Sequence, residues 1–153
     1  MGAVSRSLLL TLLLAGPVVG QEDMVIDQSK LYVSDPTACA ALEHDGIEAL
    51  SSDYLVLSLP DGIQSNEFQC GFYDIKTRPN TPLLHVQAVC EAPGEVYPDT
   101  LAIAPYDSER IQVVSSYDAM MVTAGLIEPP GPPTNPGVTL YTRCPNLSEI
   151  SVD

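Results

Sequence analysis

Tyr54-Leu55-Val56-Leu57-Ser58-Leu59 decides the fold class. Leucine recurs at every second position, so Leu55, Leu57 and Leu59 share one face of an extended chain. Pro60-Asp61-Gly62 then makes a turn: proline presets φ, and glycine accepts a positive φ. The alternation resumes over residues 63–75, with Phe68, Cys70 and Phe72 on one face and Gly71 as the candidate bulge. Arg78-Pro79-Asn80-Thr81-Pro82 reads as the next turn. Leu84, Val86, Ala88 and Cys90 line a third strand, and Glu91-Ala92-Pro93-Gly94-Glu95 a loop. Leu101 and Ile103 mark strand four, Ile111 and Val113 strand five, and residues 138–144 the closing strand. Between the last two lie a helical turn over 118–124, capped by Asp118 and stopped by Gly125, and a loop over 129–137 rich in proline.

Upstream the pattern changes. Asp35-Pro36 opens a short helix through residues 37–44: aspartate caps free N–H groups, and proline at the first helical position wastes no donor. Cys39 and Leu42 share a face, and Gly46 stops the helix. The expected fold is mainly β, an antiparallel meander or small barrel of about six strands, with this one N-terminal helix covering an end and two disulfides. A single domain over residues 35–145 follows a flexible acidic lead-in, 21–34, and precedes a frayed tail, 146–153.

Residues 1–20 read as an address. One base, Arg6, precedes the apolar run LLLTLLLA and then Gly16, Pro17, Val18, Val19 and Gly20. Those are the parts of a secretory signal peptide, with cleavage expected after Gly20. The apolar run is shorter than the roughly 20 residues that a spanning helix needs. The full chain carries 6 basic and 20 acidic side chains. Removing residues 1–20 takes the formal charge from −14 to −15. Such a chain lacks the clustered Lys and Arg that phosphate contacts require, which excludes nucleic acid and anionic lipid as partners. The expected compartment is the periplasm or the exterior.

Export makes the four cysteines, Cys39, Cys70, Cys90 and Cys144, a disulfide framework. No Cys-x-x-Cys pair occurs, as a zinc site would want. Of three connectivities, the preferred one is Cys39–Cys70 with Cys90–Cys144. Its rival is Cys70–Cys90 across a hairpin with Cys39–Cys144 tying the ends.

The helix cysteine in DPTACAALE, the run from Asp61-Gly62-Ile63 to Glu67-Phe68-Gln69-Cys70, Cys90-Glu91 with Gly94-Glu95, and Thr142-Arg143-Cys144-Pro145 together resemble a family. It comprises small, secreted, uncharacterised four-cysteine proteins of alphaproteobacteria with a β-rich body. The resemblance covers residues 35–145. It implies export from a Gram-negative cell and no established activity, cofactor or site residue.

Motifs for chemistry are sparse. The chain has no nucleophile elbow, phosphate-cradling loop or His-Glu-x-x-His. His44 reads as a solvated residue of a last helical turn, favoured there by the helix dipole. His85 reads as an exposed strand residue. Glu67 reads as a mid-strand acid on the face opposite Phe68 and Cys70. Glu91, Glu95 and Asp99 are the best oxygen-ligand set, yet far short of the 6–8 oxygens that calcium takes; they read as a solvated acidic loop. Neither metal nor cofactor is expected, and no catalytic residue stands out. Asn146-Leu147-Ser148 matches a glycosylation sequon, which counts only in a eukaryotic secretory route.

The expectation is a non-enzymatic, monomeric exported domain that binds a basic protein, with Glu67, Glu91 and Glu95 facing the partner. Inhibition of a cationic hydrolase such as lysozyme is one specific form. The competing expectation is a small hydrolase with paired carboxylates.

Overall fold

The structure, a computed structural model, describes residues 24–128 and 135–150. The expected signal peptide over 1–20 and most of the proline-rich loop lie outside the described residues. Eight strands form a closed antiparallel barrel in which each strand pairs with the next. They are β1 (Tyr32–Val33), β2 (Val56–Ser58), β3 (Gly62–Gln64), β4 (Gln69–Thr77), β5 (Leu84–Ala92), β6 (Glu95–Pro105), β7 (Arg110–Ser115) and β8 (Val138–Arg143). Helix α1 (Ala38–Asp45) and a 3-10 turn (Gly46–Ala49) separate β1 from β2. Helix α2 (Ser116–Thr123) follows β7 directly.

The fold is mainly β as expected, with two strands more than the expected six. Residues 63–75 are not one strand. Ser65 N–H donates to the Phe68 carbonyl at 2.7 Å, and the chain reverses between β3 and β4. Ser65 and Asn66 are turn formers that the alternation around them masks. Glu67 therefore sits in a turn and not mid-strand. The second addition comes from the lead-in. Tyr32 pairs with Leu57 on one side and Arg143 on the other, so β1 closes the barrel. Leu31, Tyr32 and Val33 are buried. The end of the expected flexible segment is thus an ordered wall.

Inward positions fill the barrel. Leu57, Ile63, Val86, Ala88, Leu101, Ile103, Val113 and Tyr141 are buried in one cluster. Each large aliphatic member stabilises by roughly 1.5–3 kcal/mol when withdrawn from water. The leucine face is inward as expected: Leu57 and Leu59 lie in this cluster and Leu55 packs against it. Outward residues of the short strands are buried too. Val33 and Val56 pack with Ala38, Leu42 and Cys144 in a second cluster. Helix α1 therefore covers the outer wall of β1 and β2, not an end of the barrel. Leu147 and Ile150 join that cluster, so the first part of the expected frayed tail is packed. The Leu31 N–H donates to the Leu147 carbonyl at 3.1 Å.

Helix starts also differ in detail. Thr37, not Asp35, precedes α1, and the Asp35 carboxylate accepts from Thr37 N and Oγ at 2.9 and 2.8 Å. Ser115, not Asp118, caps α2: its Oγ accepts the Asp118 N–H at 3.0 Å. Gly62 is the turn glycine, as expected. Its φ is +93°, and a Cβ there would stand 2.0 Å from the Cys70 carbonyl oxygen.

The disulfides are Cys39–Cys144 and Cys70–Cys90, which corrects the preferred pairing in favour of its rival. The reason is register. Cys70 and Cys90 stand directly opposite on β4 and β5, and both are buried inside the barrel. Cys39 and Cys144 lie outside, in the α1 cluster. The preferred pairing would have needed bonds through the barrel wall. Cys39–Cys144 closes a loop spanning 105 residues and Cys70–Cys90 one of 20. In the chain-entropy view the longer loop stabilises more, within the usual range of about 2–4 kcal/mol or somewhat above. Paired alanine replacement at Cys39 and Cys144 should lower the urea midpoint more than replacement at Cys70 and Cys90. Non-reducing digestion with mass spectrometry should yield a linked Cys70–Cys90 peptide.

Candidate functional site

An up-and-down barrel alternates its turns between two ends. The β3–β4 turn, the β5–β6 turn and α2 share one end; the β4–β5 and β6–β7 turns share the other. Charge follows this geometry. Lys30 precedes β1, Lys76 ends β4 and Arg78 follows it, Arg110 starts β7 and Arg143 ends β8. All five lie at the end opposite α2. Among the described residues the α2 end carries no Lys or Arg. It carries Glu67, Glu91, Glu95, Asp99 and Asp118. The three glutamates singled out in the sequence therefore share one end of the barrel, and all three are exposed.

The mouth at this end is built by β6 and α2. Inward alternation on β6 aims Tyr97 and Asp99 into the barrel, opposite Cys90 and Ala88. The Tyr97 ring stacks on Tyr117 of α2 with centroids 3.8 Å apart and planes at 18°. Tyr117 Oη donates to the Glu95 carboxylate. That hydrogen bond raises the Tyr117 hydroxyl's pKa, and burial pushes Tyr97 up to about 12. Both rings stay neutral at any ordinary pH.

Asp99 is 7% exposed and fully engaged. Its carboxylate accepts from Ser115 Oγ at 2.5 Å, Ser116 Oγ at 2.8 Å and Tyr117 N at 3.0 Å. A strand carboxylate thus holds the first turn of α2, whose free N–H groups and positive dipole end favour an anion. The helix needs that hold because α2 buries none of its own residues. Asp118 faces the same cavity. Burial first, then the Asp99 charge, raise its pKa above the usual carboxylate value. Tyr141 completes the floor, its hydroxyl also pushed up by burial. The cavity has a volume of ≈ 50 Å³, room for a few waters.

The other sequence candidates do not converge. Asp99 points inward, whereas Glu91 lies on the outer face opposite Gln69 and Val96. The barrel wall splits the Glu91, Glu95 and Asp99 set, so it forms no ligand cage. His44 is exposed and contacts Asp45, whose carboxylate raises its pKa through a hydrogen bond. His85 sits outward near the end opposite α2, across from Lys76. Asn146 is exposed and donates to Glu43 at 3.3 Å. The Tyr97–Tyr117 stack and the Asp99 anchor leave no signature in the sequence. They join residues 16 to 22 positions apart through a strand-helix contact with no fixed spacing. Comparison with protein-family models, with curated proteins and with solved structures finds no match to this chain.

Asp99→Ala should release the helix: stability falls by about 1–3 kcal/mol, the usual cost of orphaned buried donors. Amide exchange should accelerate across Ser116–Thr123. Asp118→Asn should act in the opposite direction. A raised folded pKa means that the native state binds the proton more tightly than the unfolded chain. Stability then falls as pH rises from the unfolded carboxylate value through the folded one. The variant should be more stable than the parent at pH 7, with the gap closing near pH 3. Urea unfolding at both pH values checks this.

Proposed function

We propose that this chain is an exported, non-enzymatic domain whose acidic α2 end binds a basic protein partner. One observation carries the reading: the described Lys and Arg all lie at one end, while Glu67, Glu91, Glu95 and Asp118 share the other end with two stacked tyrosines. A cationic side chain meets both charge and ring faces there, and Lys and Arg bind aromatic faces through cation–π attraction. A single-sign field over the mouth would steer a basic protein to this end and speed its encounter. Two disulfides suit an oxidising compartment outside the cytoplasm, here the periplasm or the exterior. The resemblance to small secreted alphaproteobacterial proteins supports the same compartment. Inhibition of a cationic hydrolase is the specific form proposed.

A carboxylate-dependent hydrolase is the second reading, favoured by Asp99 and Asp118 lining one cavity. Two features weigh against it. Asp99 spends its oxygens on α2, and ≈ 50 Å³ is far below the roughly 300–1,000 Å³ of small-molecule sites.

Lysozyme serves as the basic probe. It should be retained by the immobilised protein at low salt and released as ionic strength rises. Joint replacement of Glu67, Glu91 and Glu95 by Gln should weaken retention at least tenfold by titration calorimetry. Retention that ignores both salt and these substitutions would refute the reading.

A further inference from the structure

Outward positions of a β-barrel in water are ordinarily polar, because only the inward face is shielded. Across β4, β5 and β6 an apolar group interrupts that coat near the α2 end. Register sets Gly71, Val89 and Pro98 in one outer row, and Gln69, Glu91 and Val96 in the next. Val89 is 40% exposed and Val96 68%. Beside these rows the β4–β5 register slips between Phe72 and Asp74. The bulge is therefore at Tyr73, not at Gly71 as the sequence suggested, and it leaves the Tyr73 ring 63% exposed. Gln69, Gly71, Phe72, Tyr73, Val89 and Glu91 enclose a groove of ≈ 320 Å³.

Gly71 forms the floor of this groove. Its φ is not in the positive region, and a Cβ built on it meets no atom within 4 Å. Neither backbone conformation nor packing calls for glycine, although glycine weakens a strand interior. The missing side chain supplies the notch itself. The neighbouring bulge acts to the same end, since bulges re-aim side chains, and this one sets an aromatic wall outside the barrel.

Charge selects the occupant. Glu91 is the carboxylate of the groove, and Glu67 and Glu95 lie at the same barrel end. The cation of β4, Lys76, stands at the strand's far end, paired with Asp74 at 3.1 Å. We propose that the groove anchors an apolar side chain of the basic partner, flanked in that partner by Lys or Arg that pairs with Glu91. This rests on the reading of a basic partner given above.

Two measurements test the proposal separately from that reading. The ¹⁵N-labelled protein is titrated with the peptides acetyl-Lys-Trp-Lys-amide and acetyl-Lys-Gly-Lys-amide. The tryptophan peptide should shift the amides of Gly71, Val89 and Glu91; the glycine peptide should not. Gly71→Trp, which fills open space, should keep the thermal midpoint and abolish those shifts, and should weaken lysozyme binding at least tenfold. Groove shifts with the tryptophan peptide but no lysozyme binding would uphold the groove and dismiss lysozyme as the partner. Equal lysozyme binding by parent and variant would overturn the groove and leave the acidic end as the interface. Absence of groove shifts with the tryptophan peptide would overturn it whether or not Gly71→Trp folds. A parent dimer in sedimentation that Gly71→Trp converts to monomer would also overturn it, because a second copy would then fill the groove.

Discussion

Closure of the barrel rests on a strand of two residues. Tyr32 and Val33 pair with β2 on one side and β8 on the other. Without them β2 and β8 would be open edges, exposed to pairing with other chains. So short a strand cannot hold by its ladder bonds alone. Three further contacts fix it. Cys144 N–H donates to the Leu31 carbonyl at 2.8 Å, Ser34 N–H donates to the Leu55 carbonyl at 2.9 Å, and the Cys39–Cys144 bond ties α1 to the end of β8. The cluster of Leu31, Val33, Leu42 and Val56 excludes water from the outside of the same seam. Covalent bond, hydrogen bonds and apolar burial thus act on one joint.

Closure also organises charge. In a meander that returns on itself, turns two strands apart must lie at the same end. The acids of the β3–β4 and β5–β6 turns are brought together by that rule alone, and the bases near the β4–β5 and β6–β7 turns go opposite. The bases at that opposite end stand among Asp74, Asp107 and Glu109, so the ends differ chiefly in that the α2 end has acids without cations among the described residues. Helix α2 then narrows the acidic mouth. It is held there by Asp99 from within the wall and by ring stacking from Tyr97, not by an apolar face of its own.

Much of the wall was legible because burial on one face imposes a period of two. Alternation predicts Leu84, Val86, Ala88, Leu101, Ile103, Ile111 and Val113 inward, and each is buried. Where the chain is buried on both faces the period vanishes, so Leu31-Tyr32-Val33 carries no strand signature in the sequence. The Ser65-Asn66 turn was hidden because alternation continues on both sides of it. The site was less legible than the fold. Residue type alone marks Glu67, Glu91 and Glu95 as exposed acids, but their common end needs the strand order.

Composition and periodicity alone determined a mainly β domain, acidic and bearing four cysteines, since these follow from local residue chemistry. Which cysteines pair, which turns share an end and which carboxylate anchors a helix were decided only by tertiary structure. The physical reason is the barrel wall. It separates Cys70 and Cys90 inside from Cys39 and Cys144 outside, and Asp99 inside from Glu91 outside. Inside and outside do not exist for a chain until its first and last strands have met.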